Sequence, residues 1–290
     1  MTALTPRNIL DGTATPTTST MKTALGQLRD FLNEKLGNDG SISNFGFKNR
    51  LINAAGLINQ REVSGTVTLA AGVYGHDRFK AGASGCTYTF STSGNVTTFT
   101  IAAGSLVQVI EGLNLETGTY CLSWAGSAQA KIASGAFAAS GVTATITGGT
   151  NTSVEFGTGT LALPQFERGT TATAFDYRLY PTELALCQRY LPVVNIGSLM
   201  GLSFSSTVGS VSCNFPVPAR TGSNGITTIG TFAVQFGNGT SSSASVTFSE
   251  SSIFSSSLNI TSSGMTAGAP LRLFNGTPGA AKIIFNGCEL

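Results

Sequence analysis

The sequence predicts an all-β protein that carries one helix near its front and a short one past its middle. Three observations carry that expectation. Apolar and polar residues alternate over short runs, as in Val67/Leu69, Tyr88/Phe90, Phe99/Ile101 and Tyr120/Leu122/Trp124, the period of a strand with one buried face. The runs are separated by turn residues, with 36 Gly and abundant Thr and Ser, while long helical periodicity is missing. Charged residues make up only 10% of the chain, against roughly 25% in ordinary soluble domains, so the exterior must be built from Ser, Thr, Asn and Gly.

At 290 residues the chain can bury two modest cores. The reading is an N-terminal arm and helix over 1–40, a jelly-roll-like β-sandwich over 41–180, a linker helix over 181–191 and a smaller C-terminal β domain over 192–290. In the first part, Met21, Leu25, Leu28 and Leu32 recur at steps of four, three and four and lie along one helical seam. Ser19 can cap that helix and Gly37 can end it. The seam can pack on its own domain or meet copies of itself, and under three heptads leaves the two open. Asn38-Asp39-Gly40-Ser41 is a turn cluster.

Strand patterns then follow over 66–69, 86–91, 96–102, 106–111, 118–126, 128–133, 143–147, 153–156 and 159–167. Short strands at this spacing predict two packed sheets. Between Leu163 and Pro192 the composition changes to charged and aromatic residues, and Leu184, Leu186, Cys187 and Tyr190 give a helical apolar face after Pro181. Thr182 is the expected cap and Pro192 the stop. Beyond it, strand patterns cover 208–216, 226–236, 243–248, 257–261, 271–274 and 282–285, with Asn275-Gly276 and Asn286-Gly287 as turns.

Composition also bounds the partners. A net charge of +2, from 16 Lys and Arg against 14 Asp and Glu, makes no field for a polyphosphate, and nucleic acid is not expected. No run of about 20 apolar residues suggests a membrane span, and the first residues lack the pattern of a signal peptide. The sequons at Asn95, Asn151, Asn238, Asn259 and Asn275 are therefore read as chance. Five scattered cysteines, Cys86, Cys121, Cys187, Cys213 and Cys288, form no CxxC pair, and one histidine gives no Cys/His zinc site. They are expected to be buried thiols, and no metal or cofactor is expected.

Few constellations could carry chemistry. A serine triad needs a base near an activated serine, and His76 stands in no G-x-S-x-G elbow. Glycan cleavage needs two carboxylates in one cleft; Glu111, Glu116 and Asp77 are the acids the fold could bring together. Glu167 with Arg168, and Asp176 with Arg178, read as hinge pairs. Sugar binding needs a flat aromatic beside planar polar groups, and Tyr74, His76, Asp77 and Arg78, followed by Phe79, supply that mixture. These four are the candidate ligand residues, with a buried brace as the competing reading. Trp124 shares a strand face with Tyr120 and Leu122 and is expected in the core.

Gln165-Phe166-Glu167-Arg168-Gly169, Ala172-Thr173-Ala174-Phe175, Tyr180 and Glu183-Leu184-Ala185-Leu186-Cys187-Gln188-Arg189-Tyr190 together resemble a signature of tail-fibre and virion structural proteins of tailed bacteriophages. The likeness extends to Asn49–Asn53 with Asn59–Arg61, to Asp77-Arg78-Phe79, to Gln108–Gly112 and Leu122–Ala125, and to Phe215–Arg220 and the last residues. It departs at Val109 and Ala174, where the family often has a basic residue and proline. The resemblance implies a carbohydrate-binding-module-like sandwich closed by this segment, then a small β domain. It further implies a homotrimer, here through Met21, Leu25, Leu28 and Leu32, docking on other tail or baseplate proteins through the N-terminus. The expected function is non-enzymatic attachment of the particle to a host-surface polysaccharide, in a virion assembled in the bacterial cytoplasm. A structural collar, head or tail decoration is the first alternative, and a glycan-degrading enzyme the second.

Overall fold

The fold is taken from a computed structural model, which describes residues 47–236, 239–276 and 281–290 together with Thr23 and Leu25–Gln27. The chain is all-β, as expected, in two strand assemblies joined by one helix. The first contains β1 (Val67–Leu69), β2 (Lys80–Ser93), β3 (Val96–Ile110), β4 (Gly118–Ala125), β5 (Ala130–Ile132), β6 (Val142–Ile146), β7 (Thr152–Phe156) and β8 (Gly159–Arg168). Of the seam at the front, Leu25 is helical and 64% exposed; Met21, Leu28 and Leu32 lie outside the described residues.

These eight strands form one forked sheet. The first half of β3, Phe99–Ile101, pairs with β8, which continues to β4 and β6, whereas its second half, Leu106–Ile110, pairs with β7 and then β5. The two limbs close over one core. Trp124 of one limb meets Phe156 of the other edge-on at 5.7 Å, and the Trp124 indole donates to the Ala128 carbonyl at 2.9 Å, so Trp124 is a core residue as its alternation predicts. The runs 96–102 and 106–111 are one bent strand rather than two. Ala81 opposes Leu106 but Cys86 opposes Gly104, so β2 bulges outward over the intervening residues and turns the limb. Gly104, at φ 70 and packed on the Gly85 carbonyl, leaves no space for a Cβ.

The second assembly contains β9 (Val193–Asn195), β10 (Ser198–Ser203), β11 (Val208–Asn214), β12 (Gly225–Ile229), β13 (Phe232–Phe236), β14 (Thr240–Ser251), β15 (Ser255–Thr261), β16 (Pro270–Asn275) and β17 (Lys282–Asn286). Strands β10, β11, β15, β14, β13 and β16 close into a barrel, and β12, β17 and β9 form a separate three-stranded sheet. The predicted run 226–236 is thus two strands in different sheets, broken at Gly230, whose φ is 82. The barrel is filled by Val211, Val234, Leu258, Ile260, Leu271 and Leu273. β17 is buried on both faces: Ile283 and Phe285 join the barrel core, while Ile284 packs with Leu191 and Val193.

Between the assemblies lies α1 (Tyr180–Gln188). Leu179 rather than Thr182 occupies the capping position, and it makes no side-chain cap bond. Pro181 in the first turn needs no amide partner there, and Glu183 complements the positive helix start. Past Arg189 the chain turns at Tyr190 and Leu191, and Pro192 ends the helical path. Cys187 and Tyr190 pack with Ile52 and Ile58 of the sandwich opening, with Leu184, Leu186 and Leu290 around them. This third apolar cluster sits where the two assemblies meet.

Candidate functional site

The structure corrects the proposed ligand loop. His76, Asp77 and Arg78 are 1%, 0% and 2% exposed, so none presents a face on which a sugar could stack. The Asp77 carboxylate accepts from the Gln60 backbone amide at 2.8 Å and from Gln60 Nε2 at 2.6 Å, and Asn53 Nδ2 donates to the Asp77 carbonyl at 3.0 Å. Burial raises the Asp77 pKa against the lowering effect of those bonds. Arg78 holds a left-handed φ of 72, donates through Nη2 to the Val109 carbonyl at 2.6 Å, and lies 3.7 Å above the Tyr190 ring. His76 Nδ1 is 3.0 Å from the Tyr88 hydroxyl, and its ring meets Phe90 and Phe99 edge-on at 4.4 and 4.9 Å. Burial holds the imidazole near pKa 4, so it is neutral.

The same loop latches the two assemblies together. The Tyr74 hydroxyl donates to the Leu290 carbonyl oxygen, which also accepts from Lys80 Nζ at 2.7 Å. Burial first, and Glu289 second, push the Tyr74 phenol up to about 12. Arg61 pairs with Glu289, and Lys282 Nζ reaches Glu62 at 2.6 Å and the Gln60 carbonyl at 2.7 Å. Burial lifts the Glu289 carboxyl to about 7 in spite of Arg61 and Arg78. The competing reading of Asp77-Arg78-Phe79 as a buried brace describes this geometry.

The other predicted groups find separate partners. Glu111 accepts from Tyr190 at 2.8 Å and from Arg189 at 3.2 Å; desolvation raises its pKa, and these bonds outweigh it so that the net shift is downward. Glu116 pairs with Arg168 at 3.1 Å on the outside, while Asp77 is sealed under Gln60. Each acid is thus tied to a different set of groups. The hinge pairs are also rearranged. Glu167 is bound by Gln165 Nε2 at 2.7 Å and by Thr173, and Arg178 by Glu183 at 3.2 Å. All five cysteines are free and buried. Among the described residues, no three His, Cys, Asp or Glu side chains group to hold a metal, and no helix is long and apolar enough to cross a membrane.

One accessible concavity does carry the residue mixture expected of a saccharide site. It is a cleft of about 230 Å³ between the opening segment, from Asn49 to Ile58, and the segment from Phe175 to Glu183. Tyr177 and Tyr180 on its wall are 53% and 55% exposed. Phe175 meets Tyr177 edge-on at 4.7 Å and sets its ring. Beneath them Arg178 donates to the Leu51 carbonyl at 2.8 Å and to the Asn49 carbonyl, so its two terminal nitrogens hold the floor while its Nε is buried without a partner. Asp176 is anchored by its amide to Gln165 Oε1 at 2.7 Å and accepts from the Asn49 amide at 3.3 Å through Oδ2. Asn95, on the exposed turn between β2 and β3, completes the rim. The sequence marked this stretch as charged and aromatic, but its helix and hinge patterns concealed that Tyr177 and Tyr180 face outward.

No family model matches the chain, and no curated protein does. Among solved structures it is similar to salicylate 1,2-dioxygenase of Pseudoaminobacter salicylatoxidans. One variant of that enzyme shows 11% identity and a TM-score of 0.12, over 64% of this chain and 70% of that one. A second variant shows 11% and 0.13 over 64% and 69%, and a further structure of the enzyme 10% and 0.12 over 68% and 74%. These neighbours are enzymes, unlike the non-enzymatic chain that the sequence leads one to expect, and that expectation is not carried further. At such TM-scores the likeness assigns neither a fold nor a reaction to this chain.

Proposed function

We propose that this chain is a virion protein of a tailed bacteriophage that attaches the particle to a host-surface polysaccharide. The resemblance supplies the virion, and one observation supports attachment. A rigidly held cleft bearing two half-exposed tyrosines lies on the segment that carries the resemblance. Its surroundings suit exposure outside a cell, since the scarcity of charge leaves a Ser- and Thr-rich exterior. In this reading the seam of Met21, Leu25, Leu28 and Leu32 gathers three copies, and the N-terminal arm docks them on other tail or baseplate proteins. Weak single sites then gain avidity from high effective concentration.

The test is binding of the purified full chain to an array of bacterial capsular and O-antigen polysaccharides, with light scattering for its mass. Saturable binding to a defined polysaccharide by a species of three chains is the expected result. A chain that binds none of the array would move the reading to a structural collar, head or tail decoration, and a monomer would remove the trimer.

A further inference from the structure

We infer that the cleft between the opening segment and the stretch Phe175–Glu183 is a subsite for one neutral pyranose ring, with Tyr177 and Tyr180 as its stacking platform. The inference rests on the attachment reading and names the site and the sugar class within it. Tyrosine rings placed against a core are buried, as Tyr88, Tyr120 and Tyr190 are. Tyr177 and Tyr180 are instead about half exposed, and Tyr177 is restrained by the Phe175 ring and by the anchored backbone of the adjoining Asp176. An apolar ring face held still in solvent is what the C–H face of a pyranose packs on, at low entropic cost.

Polar groups then decide which sugar fits. Asp176 uses Oδ2 for the Asn49 amide, and its Oδ1 has no hydrogen-bond partner among the described residues, so it can accept from a hydroxyl. Asn95 offers an amide on the rim. Among the residues lining the cleft the one cation is Arg178, whose two terminal nitrogens are held by two carbonyls and by Glu183 and whose Nε is buried without a partner, so no exposed cation lines the cleft to balance an acidic sugar, and the Asp176 carboxylate repels one. The site therefore selects against uronic and sialic acids. Its volume, about 230 Å³, falls below the roughly 300 Å³ at which sites for drug-sized ligands begin, and suits a single ring.

Saturation-transfer NMR on the full chain tests this, with methyl glycosides of glucose, galactose, mannose, rhamnose, N-acetylglucosamine and N-acetylgalactosamine as probes and glucuronic acid as the acidic comparison. Transfer to the ring protons of at least one neutral glycoside is expected, with none to glucuronic acid. It should fall by about fivefold in Tyr177→Ala and in Tyr180→Ala, as loss of one aromatic face implies. Asn95→Ala, on an exposed turn where folding is not at stake, should lower it by about twofold, while Tyr74→Phe in the latch should leave it unchanged. Transfer that survives in all three cleft variants would overturn the subsite while leaving attachment, judged by the polysaccharide array, intact. Absence of transfer from every probe would also overturn it, and preferred transfer to glucuronic acid would overturn the neutral-sugar assignment.

Discussion

Acidification should destabilise this protein through His76 in a way that can be isolated, because it is the chain's one histidine. Its ring lies between Phe90 and Phe99, with the Tyr88 hydroxyl on Nδ1, and desolvation lowers its pKa from 6.5 to about 4. The unfolded chain therefore takes up a proton near pH 6.5 while the folded chain refuses it until about pH 4. Stability contributed by the neutral ring is present above pH 6.5 and falls as pH drops through that window. A shift of this size corresponds to about 3 kcal/mol lost between pH 7 and pH 4, of which about 2 kcal/mol has gone by pH 5. His76→Phe keeps an aromatic edge in the niche and removes the titration. The Tyr88 contact it loses is a constant offset, and titrating groups common to both proteins cancel in the difference. Urea unfolding of both proteins at pH 7, 6, 5 and 4 should show the wild type losing about 3 kcal/mol more than the variant. The single imidazole resonance should titrate near pH 4 in the folded protein. A midpoint near 6.5, or parallel losses in the two proteins, would refute the buried neutral ring.

Glu289 should act with the opposite sign. Its folded pKa of about 7 lies above the unfolded value, so stability present below pH 4.5 is lost as pH rises through 7; Glu289→Gln should remove a fall of about 2 kcal/mol between pH 5 and 7, read from the same unfolding curves. Gly104→Ala adds a Cβ against the Gly85 carbonyl at a φ of 70, and should cost roughly 2 kcal/mol in urea unfolding; no loss would mean that the fork does not depend on this bulge. The five buried thiols are protected by desolvation, with Cys187 raised well above its ordinary pKa and Cys86 and Cys213 at about 11. A thiol reagent at neutral pH should label none of them in the native protein and all five after denaturation. Rapid native labelling would place a thiol on the surface.

Period and composition alone determined that the chain is all-β, because alternation such as Tyr120/Leu122/Trp124 is a local property of a half-buried strand. The linker helix was legible for the same reason, although its start was not: Thr182 has the chemistry of a cap, yet Leu179 holds that position. Long-range pairing decided the rest. β10 is not marked in the sequence because Met200 and Leu202 are exposed and alternate with no buried apolar face, and the closed barrel follows from a β10–β16 pairing that joins residues 68 to 76 apart. The candidate site shows the same division. Tyr74, His76, Asp77 and Arg78 have the right chemistry for a sugar, but Gln60 and Asn53 hold Asp77, Tyr190 covers Arg78, Tyr88, Phe90 and Phe99 enclose His76, and Tyr74 is tied to Leu290, and no local pattern reports what other segments will cover. Tyr177 and Tyr180 stand in the charged and aromatic stretch from Leu163 to Pro192 with nothing local to mark them, and they form a cleft wall because the residues from Asn49 to Ile58 fold against them. Sequence specifies which groups the chain owns, whereas exposure depends on which other segments, from a dozen to more than a hundred residues away, fold over them, and belongs to the tertiary structure.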